Sequence, residues 1–386
     1  MPPSWPYSGA IDARASGPPG TPGQERQPSP APARENRTFV RPAADRLNDP
    51  DPRANRAMMS HEPRATAPIV DDVSPRSART VPFSFEIYPP RTAEGLPALH
   101  ETIRVLAATG PRFISVTFGA GGSTTDRSLA VLTHILRETP VPPVAHLTCV
   151  GSSYEEATTV IREFLDAGIT RFLALRGDPP AGVAEDEVAL GDLESAAQLV
   201  QLIDRVQAER SPYREQEIPG VPGAAQVAAG ERVEIAVAAF PNGHPRSRHR
   251  FEDIDALLAK QAAGATSAIT QLFFRPADYL DFVSRARAAG VVIPILPGIM
   301  PITSPARLRR VLELTGDPRP DDLAVALEAA TDAAAQRAVG IAHAADLARA
   351  VLDGGAPGIH LYAFNNHDTV LAVLRAAGLI PEETTP

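Results

Sequence analysis

The stretch FLALRGDPP, residues 172–180, decides how the rest of the chain is read. Phe172, Leu173, Ala174 and Leu175 make a short apolar run suited to a buried strand. The run breaks at Arg176-Gly177-Asp178, where a guanidinium, a bare backbone and a carboxylate meet Pro179 and Pro180, which stop any helix. Charged groups at the carboxyl end of a core strand are where α/β proteins place their chemistry. A structural Arg–Asp pair closing a loop accounts for the same nine residues equally well. The choice therefore rests on whether other strands end in the same manner.

Working outward, strand-like runs cover residues 81–88, 113–118, 144–150, 171–175, 233–240, 268–274, 291–296 and 359–364. Between them apolar residues fall at helical spacing, as at Leu96, Leu99, Ile103 and Leu106, or at Leu129, Leu132, Ile135 and Leu136. Ser123, Ser152 or Ser153, Asp192 and Ser304 stand where helix caps belong, and Gly110, Gly168, Gly264, Gly290 and Gly378 stand where helices end. Eight strands alternating with helices over roughly 300 residues predict a single (β/α)8 barrel, a TIM barrel. An open doubly wound sheet would carry G-x-G-x-x-G after its first strand, and no such motif follows residue 88. Gly119-Ala120-Gly121-Gly122 follows the second strand and lacks that spacing.

The barrel is expected over residues 81–386, with one or two extra helices in 321–352 before the last strand. Residues 209–232 are rich in Pro, Gly and Ala and read as a mobile insertion on the helix-to-strand side. Residues 1–80 show no sustained period and read as a disordered Pro/Arg/Ala-rich tail.

Composition narrows the class. The chain has 386 residues and a formal charge of −9, which argues against a nucleic-acid partner. No apolar run is long enough for a membrane span and no signal-peptide core opens the sequence. The single cysteine, Cys149, rules out an intrachain disulfide and favours a cytoplasmic setting. Lys260 is the sole lysine among 37 basic side chains. No Cys/His/Asp spacing calls for a metal.

Polar groups gather at the strand ends. Glu86 precedes Tyr88-Pro89-Pro90-Arg91; then come Thr117-Phe118, His146, Arg176-Gly177-Asp178, Phe240 with His244, Gln271, and Tyr362 to Asn366. A carboxyl on an otherwise apolar strand, such as Glu86, suits a proton donor whose pKa burial has raised; a buried partner of an arginine such as Arg176 is the plainer account.

FSFEIYPPR, ISVTFGAGGST, AHLTC, LALRGDPP, VAAFPNGHP, AITQLFF, PILPGIMPI and HLYAFNN, taken in this order and spacing, resemble the methylenetetrahydrofolate reductase family across about residues 81–379. The resemblance implies a barrel holding FAD at its rim, reduced by NADH or NADPH. The reduced flavin then passes a hydride to 5,10-methylenetetrahydrofolate, giving 5-methyltetrahydrofolate for methionine synthesis. It implies Glu86 as the general acid and Asp178 as a carboxylate near the flavin. Cofactor contacts carry over to Thr117, Phe118, His146, Arg176, Gly177, Asp178, Leu190, Phe240, His244, Ser247, Asp253, Ala256 and Lys260, with Lys260 at the FAD phosphates. Substrate contacts carry over to Gln271, Arg307, Tyr362 and Asn366. Small-molecule partners follow, and self-association into a homo-oligomer is compatible with the sequence.

The chain departs from many bacterial members in having Arg307 for Gln, Val311 for Phe and Asn366 for Arg, with Leu190 and Ser247 replacing alanines. These changes point to a rearranged grip on the folate tail. Two other readings stay open: a flavin barrel of the proline dehydrogenase kind acting on another substrate, and a flavin- or folate-binding regulator without turnover.

Overall fold

The computed structural model describes residues 81–118, 125–177, 191–210, 214–217, 225–228, 232–245, 247–249 and 251–382. The segment read as a disordered tail lies outside these residues, as do Asp178, Leu190 and the Ser123 cap.

Each apolar run contains a strand. These are β1 Phe83–Ile87, β2 Ile114–Val116, β3 Pro143–Thr148 and β4 Arg171–Leu175, then β7 Glu234–Ala239, β8 Ser267–Thr270, β9 Ile295–Leu296 and β11 Ile359–Tyr362. The seventh run is interrupted at Pro297, beyond which β10 spans Gly298–Ile299. All pairings in the main sheet are parallel, in the order β10-β11-β1-β2-β3-β4-β7-β8-β9. Because β9 and β10 are continuous through Pro297, the two ends of this order meet and the sheet closes. Proline has no N–H to give a ladder, but its carbonyl still accepts from His360 N at 2.9 Å, so pairing passes through the interruption. The predicted (β/α)8 barrel is the observed fold.

The helices are α1 Leu96–Ala107, α2 Thr125–Glu138, α3 Tyr154–Asp166, α4 Ala196–Arg210 and α5 Glu252–Ala262. They continue with α6 Pro276–Ala288, α7 Pro305–Thr315, α8 Asp321–Ala329, α9 Ala333–Asp353 and α10 His367–Ala376. The extra helices before the last strand are α8 and α9. Ser153 caps α3 through a reciprocal box with Glu156, and Ser304 caps α7 by accepting from Arg307 N. Asp192 does not cap the helix that follows it: α4 begins at Ala196, and the Asp192 carboxylate accepts from Tyr154 N at 2.9 Å. It thus satisfies a first-turn donor of the neighbouring helix. Within the insertion, β5 Arg214–Glu217 and β6 Ala225–Ala228 pair as an antiparallel hairpin, so local pairing replaces the loop expected there.

Strand alternation divides the side chains in two. Phe83, Phe85, Ile87, Ile114, Val116, Ala145, Leu147, Phe172, Ala174, Ile235 and Val237 face the helices and join the main core. The opposite residues fill the lumen. On β4, β7 and β8 they are apolar, with Leu173, Leu175, Ala236 and Ile269 packed together and Val144 of β3 beside them. On β1, β2 and β11 they are Ser84, Glu86, Ser115, His360 and Tyr362, all buried. His146 of β3 is buried beside these polar groups. The lumen is therefore two-sided, and its polar side positions the site.

Candidate active site

Glu86 is the fourth residue of β1 and is 5% exposed. Register places it beside Ser115 of β2 and Tyr362 of β11. His146 Nε2 lies 3.5 Å and His360 Nε2 3.6 Å from the same oxygen, Glu86 Oε2. None of these three buried atoms has a hydrogen-bond partner within the protein. Buried polar groups rarely stay unpartnered, and three that converge single this place out from the rest of the lumen. Burial pushes the His146 imidazole down to about 4, against the opposing charge of Glu86, so it is neutral at physiological pH. One layer deeper, Ser84 Oγ lies 2.8 Å from His360 Nδ1, which fixes the ring. Tyr362 donates its hydroxyl to Thr270 O at 2.8 Å, and burial raises its pKa well above the usual value. The ionisable partners of Glu86 are thus two imidazoles rather than an arginine.

His360 was not singled out from the sequence. The signal was present: alternation along Ile359-His360-Leu361-Tyr362 puts His360 on the same face as Tyr362.

At the end of β4, Arg176 O accepts from Cys149 N at 3.1 Å and Val150 N at 2.8 Å, joining it to the end of β3. Gly177 turns with φ +90°, and a Cβ there would come within 2.9 Å of Thr148 Cβ. The turn therefore demands glycine and leaves bare backbone at the rim. Thr117 follows β2 and donates its N–H to Ile87 O. Phe118 turns its ring edge-on to Phe164 of α3, 6.4 Å between centroids, so it packs into the outer layer and leaves its backbone at the strand end.

A second group forms where β7 leads into α5. Asp253 Oδ1 accepts from His244 N at 3.0 Å and Ser247 Oγ at 2.9 Å, while the buried Oδ2 has no hydrogen-bond partner. Phe240 meets the His244 ring edge-on at 4.7 Å. Burial lowers the His244 pKa, which Asp253 opposes and Lys260 and Arg176 reinforce. Asp253, exposed Ala256 and Lys260 fall three and four residues apart, along one face of α5. Lys260 donates to Ala238 O at 2.8 Å, and desolvation brings its ammonium down to about 8. The sole lysine is thus anchored to a barrel strand.

The substrate positions divide. Gln271 turns its Oε1 back to Leu272 N, and its N–H bonds Ala239 O. Asn366 is the N-cap of α10, accepting from Thr369 N. Val311 is buried in a cluster with Leu272, Phe274, Met300 and Leu308, so residue 311 acts through packing. Arg307 lies over the Phe364 ring, 5.1 Å from its centroid.

Such a barrel, with its carboxyl and imidazoles at strand ends, belongs to the α/β-barrel proteins that do their chemistry at that rim. The chain belongs to the methylenetetrahydrofolate reductase family, whose profile matches residues 73–378. It is 31% identical over 299 residues to a 5,10-methylenetetrahydrofolate reductase of Salmonella typhimurium, covering 77% of this chain and 91% of that protein. It is 34% identical over 314 residues to a probable methylenetetrahydrofolate reductase (NADH) of rice, covering 79% of this chain and 49% of that protein. The chain thus spans about half the length of the rice relative. A Clostridium thermocellum protein described as binding two copies of 5-methyl-5,6,7,8-tetrahydrofolic acid shares the fold, with TM-score 0.52 at 14% identity over 77% of this chain and 94% of that one. Among the described residues no helix is long and apolar enough to cross a membrane, and no cluster of metal-ligating side chains occurs.

Proposed function

We propose that this chain reduces 5,10-methylenetetrahydrofolate to 5-methyltetrahydrofolate at the expense of NADH or NADPH, supplying the methyl group used in methionine synthesis. The observation that carries this is Glu86: a buried carboxyl at the rim of a family barrel, facing two imidazoles and no cation. Opening the methylene bridge requires a proton on the departing nitrogen, and Glu86 is placed to hold it. His146, neutral and unpartnered, and His360, fixed by Ser84, confine the carboxyl to one position.

FAD, when bound, would relay the hydride from nicotinamide to folate. The residues present fit it. Gly177 offers close backbone approach, Asp253 Oδ2 is an acceptor without a partner and suited to a hydroxyl, and Lys260 and Arg176 bring positive charge for phosphates. Thr117, Phe118, His146, Phe240, His244, Ser247 and Ala256 complete that set, with Asp178 and Leu190 proposed from the resemblance alone. Gln271 and Tyr362 would face the exchanging substrates.

The test is anaerobic stopped-flow at the flavin absorbance. A yellow protein should be bleached by NADH or NADPH and recover its colour on adding methylenetetrahydrofolate. Bleaching without recovery would overturn the folate reading, and a colourless protein would favour a regulator.

A further inference from the structure

Just beyond Glu86 the ladder between β1 and β11 changes character. Glu86 pairs with Tyr362, and Glu86 O accepts from Ala363 N at 3.0 Å. Continued in register, the ladder would bring Tyr88 N to Ala363 O. Ala363 O instead accepts from Asn366 N at 2.9 Å and closes a turn. A side chain takes up Tyr88: its N–H donates to Asn365 Oδ1 at 3.0 Å, and Asn365 Nδ2 donates to Tyr88 O at 2.8 Å. A carboxamide carries the same donor and acceptor as a peptide unit, so Asn365 extends the sheet by one residue with its side chain.

The chain strains to do this. Phe364 and Asn365 are the non-glycine residues with positive φ among the described ones, at +49° and +55°. Asparagine tolerates left-handed backbone, whereas for phenylalanine it is costly, and such residues persist where their surroundings fix them. Ending the sheet at Ala363 would need neither the strained turn nor the paired amide. What the arrangement holds is Glu86, whose own carbonyl is bonded to β11 and whose second neighbour, Tyr88, is bonded through both its peptide groups. Glu86 Oε2 lies 3.5 and 3.6 Å from two imidazoles and has no hydrogen-bond partner within the protein. The imidazoles confine it by packing alone, so the place of the carboxyl follows that of its backbone.

We infer that Asn365 is a positioning residue for Glu86: its side-chain amide fixes the rim end of β1 and so sets where the carboxyl meets the substrate. The inference rests on the proposed reduction, in which Glu86 supplies the proton.

The experiment makes two measurements on the full chain: flavin half-reactions by stopped-flow, and imidazole nitrogen NMR spectra assigned with His146→Gln and His360→Gln. Asn365→Gly permits the positive φ and removes the amide. It should move the His146 and His360 ring signals and leave those of His244 in place. Reoxidation by methylenetetrahydrofolate should slow about ten- to hundredfold, as for a misplaced reacting group, with the apparent Kd for the folate little changed. Reduction by nucleotide should slow by less than about threefold. Asn365→Asp keeps the bond from Tyr88 N, loses the one to Tyr88 O, and should show both effects in part. Leu132→Ala, a cavity in α2, lowers stability without touching the turn and should show neither. Unmoved His146 and His360 signals in the folded Asn365 variants, or equal slowing of both half-reactions, would overturn the positioning role. Failure of both Asn365 variants to fold would make the residue a purely structural one and overturn it too. Signals that move in a protein whose wild type does not reduce the folate would sink the proposed reaction and leave the placement of Glu86 by Asn365 standing.

Discussion

The two sides of the barrel lumen obey different physics. On one, Leu173, Leu175, Ala236 and Ile269 pack as an apolar cluster with Val144 and have no polar demand to meet. On the other, Glu86, His146 and His360 bring three buried polar atoms together with no hydrogen-bond partner in the protein. Desolvated polar groups lower stability, so a barrel selected for stability alone would fill both sides with aliphatic residues. The apolar side secures the fold, and the polar side gives up stability to hold three converging polar atoms.

The largest expected effect breaks the apolar side. Leu173 is fully buried, so Leu173→Ala should cost about 2–5 kcal/mol of stability, from lost transfer energy and an unfilled cavity. Urea melts measure this. A loss below 1 kcal/mol would mean the lumen collapses readily and the two sides are not distinct.

Glu86→Gln tests the polar side. Glutamine keeps the shape and donates no acidic proton. Reoxidation of the reduced flavin by methylenetetrahydrofolate should slow by about 10²-fold or more, while its reduction by nucleotide stays within about tenfold. Stability should change little or rise. Equal slowing of both half-reactions would reduce Glu86 to a ligand-positioning role.

Acid should unmake the contrast through His146. In the folded barrel this imidazole takes a proton only near pH 4, against 6.5 ordinarily. Its neutral form is the one the fold accepts, so its contribution is fully present above pH 6.5. That contribution is lost as pH falls from 6.5 towards 4, on the order of 3 kcal/mol. His146→Gln should lack this slope. Parallel stability curves for the two proteins across that window would contradict it.

Ser84→Ala is the smallest change. It strips the hydroxyl that holds His360 Nδ1 at 2.8 Å and should cost about 1–2 kcal/mol. Unaltered stability and unaltered reoxidation together would show that the His360 orientation is set elsewhere.

Much of this was legible in the chain. A parallel strand buried on both faces reads as a near-continuous apolar run, and eight such runs between helices of period 3.6 admit few closed arrangements. Glu86 stood out because a carboxyl interrupts such a run. The hairpin in the insertion was not legible, because its pairing leaves no periodic pattern in a Pro/Gly/Ala-rich segment. Asp192 was misread as a cap for its own helix, because a carboxylate before a helix looks the same whichever helix it serves.

By itself, then, the sequence determined the alternation of elements, the barrel and the strand bearing Glu86, since these follow from local periodicity and burial. Only the tertiary structure decided what surrounds Glu86. His360 reaches Glu86 across 274 residues of chain because β11 pairs with β1 to close the barrel. The Arg307–Phe364 stack likewise joins segments that have no local relation. Periodicity reports which face a residue occupies; contact across a closed sheet depends on register and closure, which no single segment encodes.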